Sequence, residues 1–398
     1  MNNLIKECEI NKEKIEAEII RIRREIHSYP ETAFNETKTS ELIIKTLNEL
    51  GIEVKSGIAK TGVVGILKGK YPGKTILLRA DIDALSMDEL NDVEYKSKNK
   101  GVMHGCGHDA HTAWLLGSAM ILSQVKDKLH GTVKFLFQPA EEGDGGANPM
   151  IEEGVLENPK VDIAIGAHVC PKTEVGKLRI KSGPIMAATD DFNLTIYGKG
   201  GHSSELDLCI DPIRIANQVY TALQNIVYSH VNVQEPAVLA ITKFNGGSAT
   251  NVIPNKVELG GSVRTTTYET NEKIPKIMDK VIKGIVESNN GTYKLDYKRF
   301  CPPLINNSEI TSLVEKTAKE VLGENNVVLM KNPLMGGEDF AYFSKSVPSA
   351  YFLVGTLNEE KGITHELHNP YFNIDEDILY KTSMLFSNIV LNYFNEVN

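Results

Sequence analysis

Residues 104–111 read His104-Gly-Cys-Gly-His-Asp109, with His111 two positions on. Cysteine and histidine are the preferred ligands of zinc-like metals. Glycines on both sides of Cys106 allow a tight backbone turn and leave the thiol open. The bland alternative is a surface turn that happens to hold histidines. The chain has ten histidines, and three of them fall within these eight residues, which favours a metal loop. Glu141-Glu142-Gly143 offers a second kind of chemistry. Adjacent surface glutamates are ordinarily just solvated, but a pair beside a metal can divide the work, one carboxylate holding the cation and the other taking a proton from water. Asp81 and Asp83 stand in R-A-D-I-D-A, where a turn with Asx hydrogen bonds is the plain reading. His168 ends G-A-H, and His365 and His368 lie in H-E-L-H-N-P.

The elements that must position these residues follow from apolar spacing. Ile5 to Leu50 carries a helical pattern, with Ile15, Ile19, Ile22 and Ile26 recurring at steps of three and four. Pro30 breaks it after His27-Ser28-Tyr29, and a second helix over Glu36–Leu50 stops at Gly51. Val63–Leu67, Thr75–Ala80, Thr132–Gln138 and Asp162–Ala167 are short apolar runs that predict buried strands. Thr112–Val125 between them is an apolar helix. Strands alternating with helices predict an α/β architecture, a mostly parallel sheet with flanking helices. The acids and His168 then follow the carboxyl ends of strands, where such sheets gather their sites.

The texture changes after Gly183-Pro184. Phe192–Tyr197 alternates, Pro212–Val227 is an amphipathic helix, Val238–Phe244 and Val257–Arg264 are strands, Ile274 to Ile285 marks a helix, and Tyr293–Arg299 alternates again. Four strands and two helices in this order predict an inserted α+β domain of ferredoxin-like type over residues 186–297. The first domain is expected to consist of residues 1–185 and 298–398, with a helix at Leu313–Leu322, a strand at Ala350–Val354 and a last helix at Leu379–Tyr393.

Bulk properties exclude several classes. A formal net charge of −9 argues against a nucleic-acid footprint. No run reaches the roughly 18 apolar residues of a membrane span, and the first thirty residues lack the apolar stretch of a signal peptide. Five scattered cysteines, Cys8, Cys106, Cys170, Cys209 and Cys301, are expected to be reduced thiols in a cytoplasmic protein.

Taken together, R-A-D-I-D-A-L at 79–85, M-H-G-C-G-H-D-A-H at 103–111, Q-P-A-E-E-G at 138–143, G-A-H at 166–168, G-G-H-S-S at 200–204, N-V-I-P at 251–254, G-G-S-V-R-T at 260–265, G-G-E-D-F at 336–340 and L-H-N-P at 367–370 resemble one family. It is the metal-dependent amidohydrolase and peptidase family of aminoacylases, hippurate hydrolase and indoleacetyl-amino-acid hydrolases. The cysteine in the loop resembles the amidohydrolase branch, since the peptidase branches carry an aspartate there.

The resemblance implies a zinc-peptidase-like catalytic domain and an inserted lid that also mediates dimerisation. It implies two divalent cations (zinc, manganese, cobalt or nickel) held by Cys106 as bridge, by His108 and His168 on one side, and by Glu142 and His368 on the other. Glu141 is then the general base, Asp83 supports a ligand histidine or the loop, and His202 stabilises the oxyanion, often in a partner's active site. Asn251 and Arg264 are implied as anchors for a substrate carboxylate. Asp81 stands where the peptidase branches have a histidine ligand; His108 is expected to substitute, so Asp81 is not counted as a ligand. The implied reaction is hydrolysis of N-acyl amino acids by a homodimer or larger homo-oligomer, with no nucleic-acid or membrane partner; the alternative is an aminopeptidase or dipeptidase. One departure is that Glu205-Leu-Asp-Leu-Cys-Ile210 replaces the Met-Pro-His common in relatives after G-G-H-S-S, which bears on the lid and on substrate preference.

Overall fold

The computed structural model describes residues 11–143 and 145–397. The start of the expected first helix, Ile5 to Ile10, and Cys8 lie outside them. The chain divides into two compact units: Met1–Gly183 with Ile305–Asn332 and Tyr342–Asn398, and Pro184–Leu304 with Pro333–Ala341.

In the first unit, helix α1 (Lys12–Ser28) buries Ile15, Ile19, Ile22 and Ile26, the stripe the spacing predicts. Helix α2 (Thr37–Glu49) follows, and Gly51 leaves it in the left-handed region. Strands β1 (Glu53–Ile58), β2 (Gly62–Lys68) and β3 (Tyr71–Asp81) lead to helix α3 (His108–Gln124), which is buried on all sides from His108 to Leu122. Then come β4 (His130–Gln138), the short helix α4 (Ala147–Glu152), β5 (Ile163–Glu174) and β6 (Leu178–Ile180). After the second unit the chain returns with α8 (Ser308–Leu322), β15 (Val327–Leu329), α9 (Ala341–Ser346), β16 (Ser349–Leu357) and α10 (Asp377–Val397).

The eight-stranded sheet has the order β1-β2-β4-β3-β5-β16-β6-β15. β3 is parallel to β4 and β5, β16 to β5, and β15 to β6; β1–β2, β2–β4 and β16–β6 are antiparallel. The sheet is thus mixed and mostly parallel, with flanking helices. Trp114 of α3, Phe135 and Phe137 of β4, Leu78 of β3, Ile165 of β5 and Phe352 of β16 join one core. α3 packs against α1 and α10. That packing removes apolar area from water on every face of the helix that begins at His108.

The second unit has β7 (Gly183–Met186), β8 (Ala188–Tyr197), β9 (Gly201–His202), β10 (Ala237–Gly246), β11 (Val252–Ile253), β12 (Lys256–Thr265), β13 (Thr292–Cys301) and β14 (Leu304–Asn306) at or inside its limits. Its helices are α5 (Pro212–Gln224), α6 (Ile226–His230) and α7 (Tyr268–Ser288). The sheet order β10-β12-β8-β13 is antiparallel throughout. Phe192, Leu194, Ile196, Val257 and Leu259 from the strands meet Ile215, Val219, Met278 and Ile282 from the helices in a separate core. The expected helix over Pro212–Val227 begins where Asp211 caps the Ile213 amide and Pro212 takes the first position, but it is interrupted at Asn225.

Candidate metal centre

The carboxyl ends of β3 and β4 and the middle of β5 bring the site residues of the first unit together. β3 runs out at Asp81, and Asp83 follows it. β4 runs out at Gln138, three residues before Glu141. His168 differs from its expected place: it lies inside β5, which continues to Glu174. The reason is register. Pairing of β5 with β3 stops at Arg79↔Gly166, while pairing with β16 continues through His168↔Leu353 and beyond. His168 therefore sits where one neighbouring strand has ended and the other has not.

The metal loop opens α3 through Gly107, whose φ of +85° favours glycine. A Cβ there would lie 2.6 Å from Cγ2 of Val169, so β5 packs directly onto the loop. Cys106 Sγ lies 3.4 Å from His168 Nε2. His168 Nδ1 bonds the Val169 carbonyl at 2.8 Å, which turns Nε2 toward the thiol. His108 Nδ1 bonds Asp83 Oδ1 at 3.2 Å, and its Nε2 has no hydrogen-bond partner among the described residues although it is fully buried. Asp83 also accepts the amides of Glu141 and Glu142, at 3.0 and 2.9 Å. One carboxylate thus bonds both the histidine ring and the backbone of the glutamate pair.

His368 closes the group from the far end of the sequence. Its φ is +61°, uncommon for a residue other than glycine. Its amide donates to the Gly105 carbonyl at 2.8 Å, and its Nε2 lies 3.3 Å from Glu142 Oε1. Donor atoms of Cys106, Glu142 and His368 all lie within 4.8 Å of one another, as do those of His108, Glu141 and Glu142. His365 stands apart, its ring tilted by 32° against that of Tyr371 with centroids 5.4 Å apart.

Charge favours a cation here. Burial opposes charge on His108, yet Asp81, Asp83 and Glu142 outweigh it and push its pKa up to about 10. Burial, Glu142 and Glu141 drive the Cys106 thiol well above its ordinary range. Burial also works against the charge of Glu142, but His368 and His108 hold it down to about 2. A buried pocket that raises a histidine and suppresses a thiolate is short of positive charge. Divalent cations fit this donor set: they would occupy the face of the unpartnered His108 nitrogen and make a thiolate affordable.

A supporting network was not foreseen from the sequence. Asp81 is fully buried between Arg79, at 2.8 Å, and His111. Burial opposes its charge, but His108, His111 and Arg79 hold its carboxyl well below the usual range. Burial pushes His111 down to about 3, so the ring is neutral. Next to the loop, Asp109 is gripped by Arg23 at 2.8 Å and His27 at 2.7 Å, all three buried. The apolar spacing of α1 accounts for its isoleucines and gives no sign that Arg23 and His27 point inward.

In the second unit, β9 pairs with β11 as Val252↔His202, and the Ser203 amide bonds the Asn251 carbonyl at 3.1 Å. His202 and Asn251 are therefore neighbours, both exposed. His202 Nδ1 is engaged by Ser204 Oγ at 2.7 Å. Arg264 is half-buried in β12, paired with Thr189 and Val238, and its guanidinium makes no hydrogen bond or ion pair among the described residues.

Residues 77–392 match Peptidase family M20/M25/M40. Thermostable carboxypeptidase 2 of Saccharolobus solfataricus is 39% identical over 99% of this chain and 100% of its own. N-acetyl-L-cysteine deacetylase of Bacillus subtilis is 40% identical over 94% of this chain and 88% of its own. The crystal structure of the Bacillus subtilis YXEP protein, titled a dinuclear metal binding peptidase, superposes with a TM-score of 0.84 at 34% identity, covering 97% of this chain and 100% of that one. A match over most of the length, with Cys106, Glu142 and His368 donor atoms brought within 4.8 Å of one another, makes this chain a hydrolase belonging to Peptidase family M20/M25/M40.

Proposed function

We propose that the chain hydrolyses the amide bond of N-acyl amino acids, using two divalent cations held by Cys106, His108, Glu142, His168 and His368. The observation that carries this reading is the convergence of Cys106, Glu142 and His368 donor atoms within 4.8 Å, beside a buried His108 nitrogen without a hydrogen-bond partner. When bound, the cations would polarise the amide carbonyl and lower the pKa of water toward neutrality. Glu141, half-buried with its amide fixed by Asp83, takes the proton of the attacking water and returns it to the leaving amine. Asp83 keeps the His108 proton on Nδ1, which leaves Nε2 to the cation. His202, its Nδ1 occupied by Ser204, donates from Nε2 to the oxygen on which negative charge develops. Arg264 offers a guanidinium fork to the substrate carboxylate, and Asn251 an amide beside His202.

The acyl reading draws on the deacetylase and on the hippurate hydrolase of Campylobacter jejuni, 38% identical over 95% of this chain. The carboxypeptidase name of an equally similar relative favours a second reading, cleavage of small peptides. The cytoplasm, a reducing compartment, suits a site that needs Cys106 as a free thiol, and the described cysteines are all free. No helix among the described residues is long and apolar enough to cross a membrane. A homodimer is proposed through β10, which forms one edge of its sheet and exposes Val238 and Phe244.

The test is removal of metal by chelation, then addition of zinc, manganese, cobalt or nickel singly. Hydrolysis of N-acetyl, benzoyl and indoleacetyl amino acids is compared with that of dipeptides. Activity indifferent to removal and addition overturns the metal reading; turnover confined to dipeptides overturns the acyl reading.

A further inference from the structure

Donor atoms of Asp81 and His111 lie within 4.8 Å of one another and of donor atoms of His108 and His168, close enough to suggest that Asp81 and His111 bind metal too. Their hydrogen bonds argue otherwise. Asp81 Oδ2 receives Arg79 Nη1 at 2.8 Å, and Oδ1 receives His111 Nδ1. His111 Nε2 accepts the Val169 amide at 3.1 Å. A ligand nitrogen needs an unshared lone pair. In His111 one nitrogen carries the proton given to Asp81 and the other has its lone pair on an N–H.

The same chain of contacts ends at a residue of the proposed centre. Val169 gives its amide to His111 and its carbonyl to His168 Nδ1, and its side chain covers Gly107 of the metal loop. β3 no longer runs beside β5 at this point, its last pair being Arg79↔Gly166, so His111 supplies an acceptor that a strand does not. Upstream, Arg79 Nε bonds Gln138 Oε1 at 2.9 Å, which anchors the chain to the end of β4. We propose that Asp81 and His111 are positioning residues that hold the Val169 backbone, and through it His168 and the metal loop, and that neither is a ligand. The inference rests on the reading of His168 as a metal ligand.

The test is titration of metal-stripped protein with cobalt(II) against a competing chelator, with folding followed by thermal unfolding. Four variants are compared with the wild type: His168→Ala, His111→Ala, His111→Gln and Asp81→Asn. Wild type is expected to bind two cobalt ions. His111→Ala should still bind two, one of them about 10- to 100-fold more weakly, the loss usual when the support of a ligand is removed. A glutamine amide can both donate to Asp81 and accept from Val169, so His111→Gln should recover most of that affinity. Asp81→Asn places a second donor against Arg79 or His111 and should weaken the same ion. The thiolate-to-cobalt charge-transfer band should persist in all three.

Wild-type affinity in both His111→Ala and Asp81→Asn overturns the positioning role. Complete loss of one cobalt in His111→Ala, unrecovered by glutamine, makes His111 a ligand and also overturns it. Should His111→Ala fail to fold, Asp81→Asn and His111→Gln decide: wild-type affinity in the first, or loss of an ion in the second, is fatal. Unchanged binding in His168→Ala would instead sink the metal assignment itself, a result separable from the others.

Discussion

The main-chain amide of His368 donates to the Gly105 carbonyl at 2.8 Å, so the loop near the C-terminus is fastened to the backbone of the loop that carries Cys106 and not only through side chains. His368 holds this bond at a φ of +61°, a region asparagine enters more readily than most residues. His368→Asn is therefore expected to fold with a stability change below about 1 kcal/mol. It should lose tight binding of one cation. Thermal unfolding and metal content, measured on the same sample, check both halves.

Glu141 and Glu142 are adjacent, yet the proposed function gives them different tasks. Glu141→Gln is expected to retain two metals and lower kcat by about 10²- to 10⁴-fold, the usual worth of a general base. Glu142→Gln should release metal, since its carboxylate lies against His368 and His108. Turnover near wild type in a metal-loaded Glu141→Gln protein would remove the base assignment.

Metal binding should be strongly pH-dependent. Without metal, His108 titrates at about 10 and the Cys106 thiol is raised well above its usual range, so both are protonated near neutrality. Binding must expel both protons. The apparent affinity should then rise with pH, by up to about a hundredfold per unit while both remain protonated. Calorimetry in buffers of different ionisation enthalpy should count about two protons released; none released would contradict the ligand set. In the metal-free protein the raised His108 contributes stability that is fully present below its unfolded pKa and is lost as pH rises toward about 10.

Arg23 and Asp109 form a buried ion pair directly behind the loop. Removing one member strands the other, so Arg23→Ala is expected to destabilise the protein by about 3–5 kcal/mol. Replacing Gly107 by alanine should also be costly, because the new Cβ would collide with Val169 and its φ is left-handed. Denaturant unfolding of both variants in the metal-free state measures these costs without the contribution of metal.

The parts of this centre that were legible in the sequence are those fixed by local spacing. Cys106 and His108 share one turn, and Glu141 and Glu142 follow an apolar strand closely enough to be tied to its end. His368 was reachable only through family resemblance, since no periodicity joins it to Cys106. The positioning role proposed for Asp81 and His111 was out of reach for a different reason: it depends on where β3 stops beside β5, a matter of strand register. β1, β6 and β15 also went unread. β1 is an edge strand with no buried residue, and the other two are three residues long, so neither alternation nor an apolar run marks them. The inward turn of Arg23 and His27 is hidden because charged residues on a helix are normally assigned to water.

The dispersal of the five proposed ligands along the chain has a bearing on biosynthesis. The loop with Cys106 and His108 leaves the ribosome long before β16 and His368 exist, and Glu142 and His168 arrive between them. A nascent chain can offer a passing cation only a partial and poorly shaped set of donors. On the proposed ligand set, capture would become tight only after β5 and β16 have paired and the last loop has docked on Gly105. Metallation would then be a late event, and a wrong ion picked up early would have every chance to leave.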